Sequence, residues 1–148
     1  MARLGEIPFG QYYGSVDSTP LFVVLAGAYY ARTGDLQHIE SLWPSIEAAL
    51  RWVDQYGDLD GDGFIEYAQQ SPTGLVNQGW KDSVDSVFHA DGTLARGAIA
   101  LCEVQAYVYA ARLAAANMAT ALGARVQAET LRTQAALLRD QLFELKAG

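Results

Sequence analysis

Apolar residues concentrate in four stretches of this chain, and in each they recur at helical rather than alternating spacing. The first predicts a helix from Ser18 to Arg32, with Asp17 or Ser18 as its cap and Pro20 in an early helical position. Thr33-Gly34-Asp35 stops it. The second covers Asp35 to Tyr56, with Ile46, Leu50 and Val53 on one face, and a break is expected near Trp43-Pro44 because proline has no N–H to donate. The third runs from Ala98 to Leu122 and is apolar on most sides, as a buried helix is. The fourth, Val126 to Phe143, is amphipathic. Leu131, Ala135, Leu138 and Leu142 form its stripe, with Glu129, Arg132, Arg139 and Asp140 largely away from it.

The four helices pair into two hairpins, turning at Thr33-Gly34-Asp35 and at Leu122-Gly123-Ala124. In each pair the first helix is more uniformly apolar and the second more amphipathic. This is a weak internal repeat of inner and outer helices, found in helical solenoids and closed toroids. The expected fold class is all-α, with no sheet beyond a short ribbon. Between the hairpins, Gly57 to Gly97 makes a polar connection several times longer than the usual loop of about 4–6 residues, and long loops tend to be functional. Alternating helix directions place the start of helix one, the end of helix two, this connection and the start of helix three at one end. Three polar constellations meet there: Tyr12 to Thr19, Asp58 to Ser86, and Glu103 to Gln105.

Composition narrows the picture. The 148 residues suit one domain, 51% hydrophobic content suits a packed core, and a net charge of -7 argues against nucleic acid as a partner. The single cysteine, Cys102, sits in an apolar run and reads as a small buried hydrophobe, so no disulfide framework exists within the chain. MARLGEIPFG lacks the apolar core of a signal peptide, and Leu21 to Ala31 is too short to span a membrane. A soluble, cytoplasmic protein with no membrane partner is expected. His38 and His89 have no spacing suggestive of zinc or a triad.

The candidate chemistry lies in the polar constellations. Asp58, Asp60 and Asp62, then Gly63, the Phe64 carbonyl and Glu66, have the spacing of a calcium loop, although its twelfth position is Gln69 rather than Glu. A solvated Asx-rich turn is the other reading. In Asn77-Gln78-Gly79-Trp80-Lys81-Asp82-Ser83-Val84-Asp85-Ser86, a carboxyl beside an indole loses solvation and rises toward the range of a general acid. Trp80 offers a face for a sugar ring. Asp82 could instead cap a helix. Tyr13 and Asp17 suit a sugar-binding wall, with capping the alternative for Asp17. Glu103 and Gln105 interrupt an apolar helix, either as functional groups or as a buried hydrogen-bonded pair.

Four strings in this order resemble one family: YYGSVDSTPLFV (Tyr12 to Val23), DLDGDGFIEY (Asp58 to Tyr67), GLVNQGWKDSVDS (Gly74 to Ser86) and IALCEVQAYVYAA (Ile99 to Ala111). They are similar to bacterial amylo-α-1,6-glucosidase-like proteins, relatives of glycogen-debranching enzymes among the glycoside hydrolases. More distantly they resemble processing α-glucosidases, mannosylglycerate hydrolases and trehalases. The resemblance implies an (α/α)6 toroid with its active site at one end of the inner helices. It also implies hydrolysis of an oligosaccharide or α-glucan with inversion. Asp82, in Gly79-Trp80-Lys81-Asp82-Ser83, would be the general acid. Tyr13, Asp17, Trp80, Glu103 and Gln105 would contact sugar, and calcium would sit at Asp58 to Glu66, with no organic cofactor. Gln11 stands where the family pattern has Arg, and Ala106 where it has Gly. Four helices are also too few for six hairpins, and the general base, a later Glu, has no match. The expectation is therefore that residues 1–148 are an internal part of a six-hairpin glycosidase domain, inactive until joined by the rest of the toroid. The alternatives are a catalytically inactive remnant or a calcium-binding helical-repeat interaction module.

Overall fold

The computed structural model describes residues 15–69, 74–81 and 83–144. They contain four α-helices: α1 (Ser18–Thr33), α2 (Leu36–Trp52), α3 (Cys102–Ala121) and α4 (Arg125–Glu144). A π-helical turn, Val53–Gly57, extends α2. Two isolated antiparallel bridges, Tyr67 with Ile99 and Phe88 with Leu94, are the β pairing among the described residues. The fold class is all-α, as the periodicity predicts.

Local chemistry sets most boundaries. Gly34 takes the left-handed conformation (φ 67°) that ends α1, and its N–H donates to the Tyr30 carbonyl. Asp35 then starts α2, its carboxylate accepting from the His38 N–H at 3.0 Å. The Tyr29 hydroxyl donates to the other Asp35 oxygen at 2.9 Å and ties the turn back to α1.

Three expectations are corrected. The break at Trp43-Pro44 does not occur, and α2 runs through Pro44. Pro44 and Glu40 are both exposed, so the carbonyl that proline leaves without a donor lies on the water side. Ile39 and Ile46, wholly buried on either side, hold the helix to the core. The third helix begins at Cys102, not Ala98, because Ile99 exchanges both backbone hydrogen bonds with Tyr67, at 2.9 and 3.2 Å, and Leu101 is still extended. That later start puts Cys102 in the first turn, at the rim. Cys102 is consequently exposed, while Leu101, Val104, Gln105 and Val108 take the buried positions.

The core explains the topology. One buried cluster joins Val23 and Ala26 of α1, Ile39, Ile46 and Leu50 of α2, Ala111 to Ala119 of α3, and Ala128 and Leu131 of α4. The other joins Val16 just before α1, Val53 just after α2, Val104 and Val108 early in α3, and Leu138 late in α4. The starts of α1 and α3 and the ends of α2 and α4 therefore share one end, and α1 and α3 run parallel. Each large apolar side chain so buried contributes about 1.5–3 kcal/mol. Close approach of α1 to α3 requires Gly27: a Cβ there would lie 2.6 Å from that of Ala114. Among the described residues no helix is long and apolar enough to cross a membrane.

Candidate functional site

The connection between the hairpins lies at the shared end and is fastened to α3 and to the segment leading into α1. The Val16 N–H, one turn before α1, donates to the Gln78 carbonyl at 2.8 Å. The Lys81 ammonium donates to Glu103 Oε1, in the first turn of α3, at 2.8 Å. The described parts of the polar constellations named from the sequence thus meet in space.

Asp17 is buried, but its carboxylate caps nothing. It accepts from the Ser15 hydroxyl at 2.6 Å, and the helix is started by its backbone carbonyl, which accepts from Leu21. Trp80 is 61% exposed, an unusual state for an indole. The Lys81 ammonium stands 5.1 Å from its ring centroid, within cation–π range. Hydrogen bonding to Lys81 is the main reason the Glu103 carboxyl falls to about 2, and the same bond raises Lys81. The Cys102 thiol adds a hydrogen bond to Glu103 Oε2 at 3.2 Å, which pushes that thiol up. Glu103 is therefore a firmly ionised anchor. Gln105 is almost wholly buried, and its amide is occupied. Oε1 accepts from the Ile65 N–H at 2.8 Å, and Nε2 donates to the carbonyls of Ile65 and Leu101 at 2.7 and 3.1 Å. The two residues pair with separate partners, not with each other. Asp82 and Tyr13 lie outside the described residues.

The acidic loop gathers three of its four expected carboxylate ligands. Asp58, Asp60 and Glu66 each bring an oxygen within 4.8 Å of the others. Oxygens across a calcium ion bound at about 2.3–2.6 Å are about as far apart, so the spacing fits one such cation. Asp62 lies outside this group: its carboxylate is turned to accept the Phe64 N–H at 2.8 Å. Asp58 also accepts the N–H groups of Gly61 and Gly63, at 2.7 and 2.9 Å, and Asp60 accepts the Asp62 N–H at 3.1 Å, so an Asx turn is present in the same loop. Gly61 and Gly63 adopt φ of 83° and 92°, open to glycine without strain. Glu66 is buried and its carboxyl is raised, first by desolvation and further by repulsion from Asp60, Asp62 and Asp58, against a hydrogen bond from the Leu59 N–H. Among the described residues none of these four acids is in an ion pair. A concentration of negative charge without a paired cation is the donor chemistry a hard divalent ion satisfies.

Beside this loop a cleft of about 250 Å³ opens between the start of α1 and the π-helical turn, walled by Trp52, Tyr56 and Tyr67 with Glu66 and Gln78. Two residues with no assigned role also organise this end. Asn77 is 3% exposed and bonds Tyr67, Ser83 and Ser86, and burial pushes the Tyr67 phenol up. The sequence signal was slight: an Asn opening a polar loop, with partners up to ten positions away. No family model and no curated protein matches the chain.

Proposed function

We propose that this chain is part of a glycoside hydrolase of the (α/α)6 toroid type, acting with inversion on an oligosaccharide or α-glucan. The observation that carries the reading is the placement of Trp80. Its loop is fastened to the start of α3 and to the segment leading into α1, yet the ring is left exposed, and Gln78, two positions before it, lines an aromatic-walled cleft. Indole faces stack on the apolar faces of sugar rings. In this reading Asp82, two positions from Trp80, protonates the leaving oxygen, and Tyr13 and Asp17 line the sugar site. Glu103 and Gln105 hold the loop that carries them. The general base stands about 6.5–9.5 Å from the acid, across the bond to be cut, with a water between. Further hairpins packed beside these two supply it. Calcium held by Asp58, Asp60 and Glu66 braces the loop and takes no part in bond cleavage.

Leaving-group kinetics test the assignment. In the protein that carries the remaining hairpins, Asp82→Asn loses about 10²–10⁴-fold in rate on a natural α-glucoside, the usual worth of a general acid. It loses far less on a glucosyl fluoride, which needs little protonation, and Asp85→Asn is mild on both. A leaving-group-dependent loss in Asp85→Asn and none in Asp82→Asn assigns the acid to Asp85 instead. The gathered triad of Asp58, Asp60 and Glu66 favours one second reading, a calcium-binding helical interaction module without hydrolysis. Absence of turnover on any α-linked glucoside or mannoside by the longer protein, with calcium binding retained, decides for it.

A further inference from the structure

Trp80 and Lys81 project from a short turn, and an exposed aromatic on a polar loop is useful to a ligand only if the loop holds still. The hydrogen bonds converge on one residue at its base. Asn77 Oδ1 accepts from the Tyr67 hydroxyl at 3.1 Å. Its Nδ2 donates to the Ser83 carbonyl and, at 2.9 Å, to the Ser86 hydroxyl. Ser86 in turn donates to the Lys81 carbonyl at 2.9 Å, so both limbs of the turn are tied to one carboxamide. Tyr67, the other side of this junction, is itself 4% exposed and bridged to Ile99. The crown of the turn is caught separately, by Lys81 on Glu103.

We propose that Asn77 is a positioning residue: its buried carboxamide sets the Gln78–Lys81 turn, and with it the indole of Trp80, in place before a ligand arrives. Only a carboxamide meets the demand here. The site needs an acceptor toward the tyrosine and two donors toward a carbonyl and a hydroxyl, and Asp, Ser or Leu at this position lacks one or both. Holding the ring beforehand removes the ordering cost that a mobile loop would impose on binding. Lys81 occupies one side of the indole and is neutralised by Glu103, so the ligand stacks on the other side. The identity of that ligand as a saccharide rests on the proposed function, but the positioning does not.

Fluorine NMR on the chain labelled with 5-fluorotryptophan separates the two. Its three tryptophans, Trp43, Trp52 and Trp80, give three resonances, assigned by single Trp→Phe variants. Asn77→Asp keeps the acceptor, removes the donors and sets a negative charge against the Ser83 carbonyl. It moves or broadens the Trp80 resonance, leaves those of Trp43 and Trp52 in place, and weakens the response of Trp80 to maltotriose about tenfold. Ser86→Ala, which leaves the buried pair of Asn77 and Tyr67 intact, gives the same pattern more weakly and decides the matter if Asn77→Asp does not fold. An unchanged Trp80 resonance in a folded variant overturns the proposal. A wild-type Trp80 that ignores maltotriose overturns the saccharide reading alone, and the variants' own Trp80 resonances still judge the role of Asn77.

Discussion

Gln105 shows how one side chain can be read in two ways until its partners are known. A polar residue interrupting an apolar helix suggests a ligand contact, but this one clasps the backbone of Ile65, forty positions earlier, and both its N–H donors are used. The two roles differ in what they cost. Gln105→Ala strips partners from a buried N–H and a buried C=O, each worth about 1–3 kcal/mol when left unsatisfied. Chemical denaturation should therefore show a loss of about 2–4 kcal/mol. A change below about 0.5 kcal/mol, the range of neutral surface substitutions, would show that the clasp is not holding. Asp17 and Asp62 are further cases. Both are acids whose sequence context named a partner, a helix N-terminus for one and a cation for the other. Both spend a carboxylate oxygen on a hydrogen bond two residues away in the chain, Asp17 with the Ser15 hydroxyl and Asp62 with the Phe64 N–H. Short-range bonds of this kind depend on backbone angles that residue spacing alone does not reveal.

The helices themselves were legible because their evidence is local and repeated. The stripe of Leu131, Ala135 and Leu138, or the stop at Gly34, needs no knowledge of the rest of the chain. What was not legible was set from outside the element. Burial of Ile39 and Ile46 carries α2 through Pro44, and the Tyr67–Ile99 bridge delays α3 and so turns Cys102 outward. The contact between α1 and α3 carries a prediction at this scale. Alanine is the better helix former by about 0.8–1.0 kcal/mol, so Gly27→Ala would stabilise an isolated α1. Here the added methyl meets the Ala114 Cβ at 2.6 Å, and overpacking costs about 1–3 kcal/mol. The expected result is a net loss of thermal stability, relieved when Ala114→Gly is present as well. A double-mutant cycle checks this. Additive effects would mean that the two helices part easily.

For the whole molecule, alternating helix directions put the polar constellations at one end, and the two core clusters with parallel α1 and α3 agree with that placement. Helix directions say nothing of Asn77 and Tyr67, whose importance comes from a junction of loop segments. The acidic loop yields a test on the intact chain. Calorimetric titration with calcium should give binding heat in the wild type and none in Asp60→Ala or Glu66→Gln. Asp62→Asn, outside the triad, should retain the heat. Calcium should also raise the unfolding temperature of the wild type only, since a ion held by the folded state alone stabilises it. Without calcium, Glu66→Gln should be the more stable protein near neutral pH, because it removes one charge from a cluster that repels itself. No heat up to about 1 mM calcium rejects the site. The connection that bears all these groups is fastened by separate hydrogen bonds, some from side chains and some from backbone, with isolated bridges in place of a continuous ladder. The bonds from Gln105 and Lys81 close long spans of chain, whereas those of Asn77 are local. The connection's amides outside the buried Ile65, Tyr67 and Ile99 should therefore trade their protons with solvent before those of the four helices, which hydrogen exchange checks.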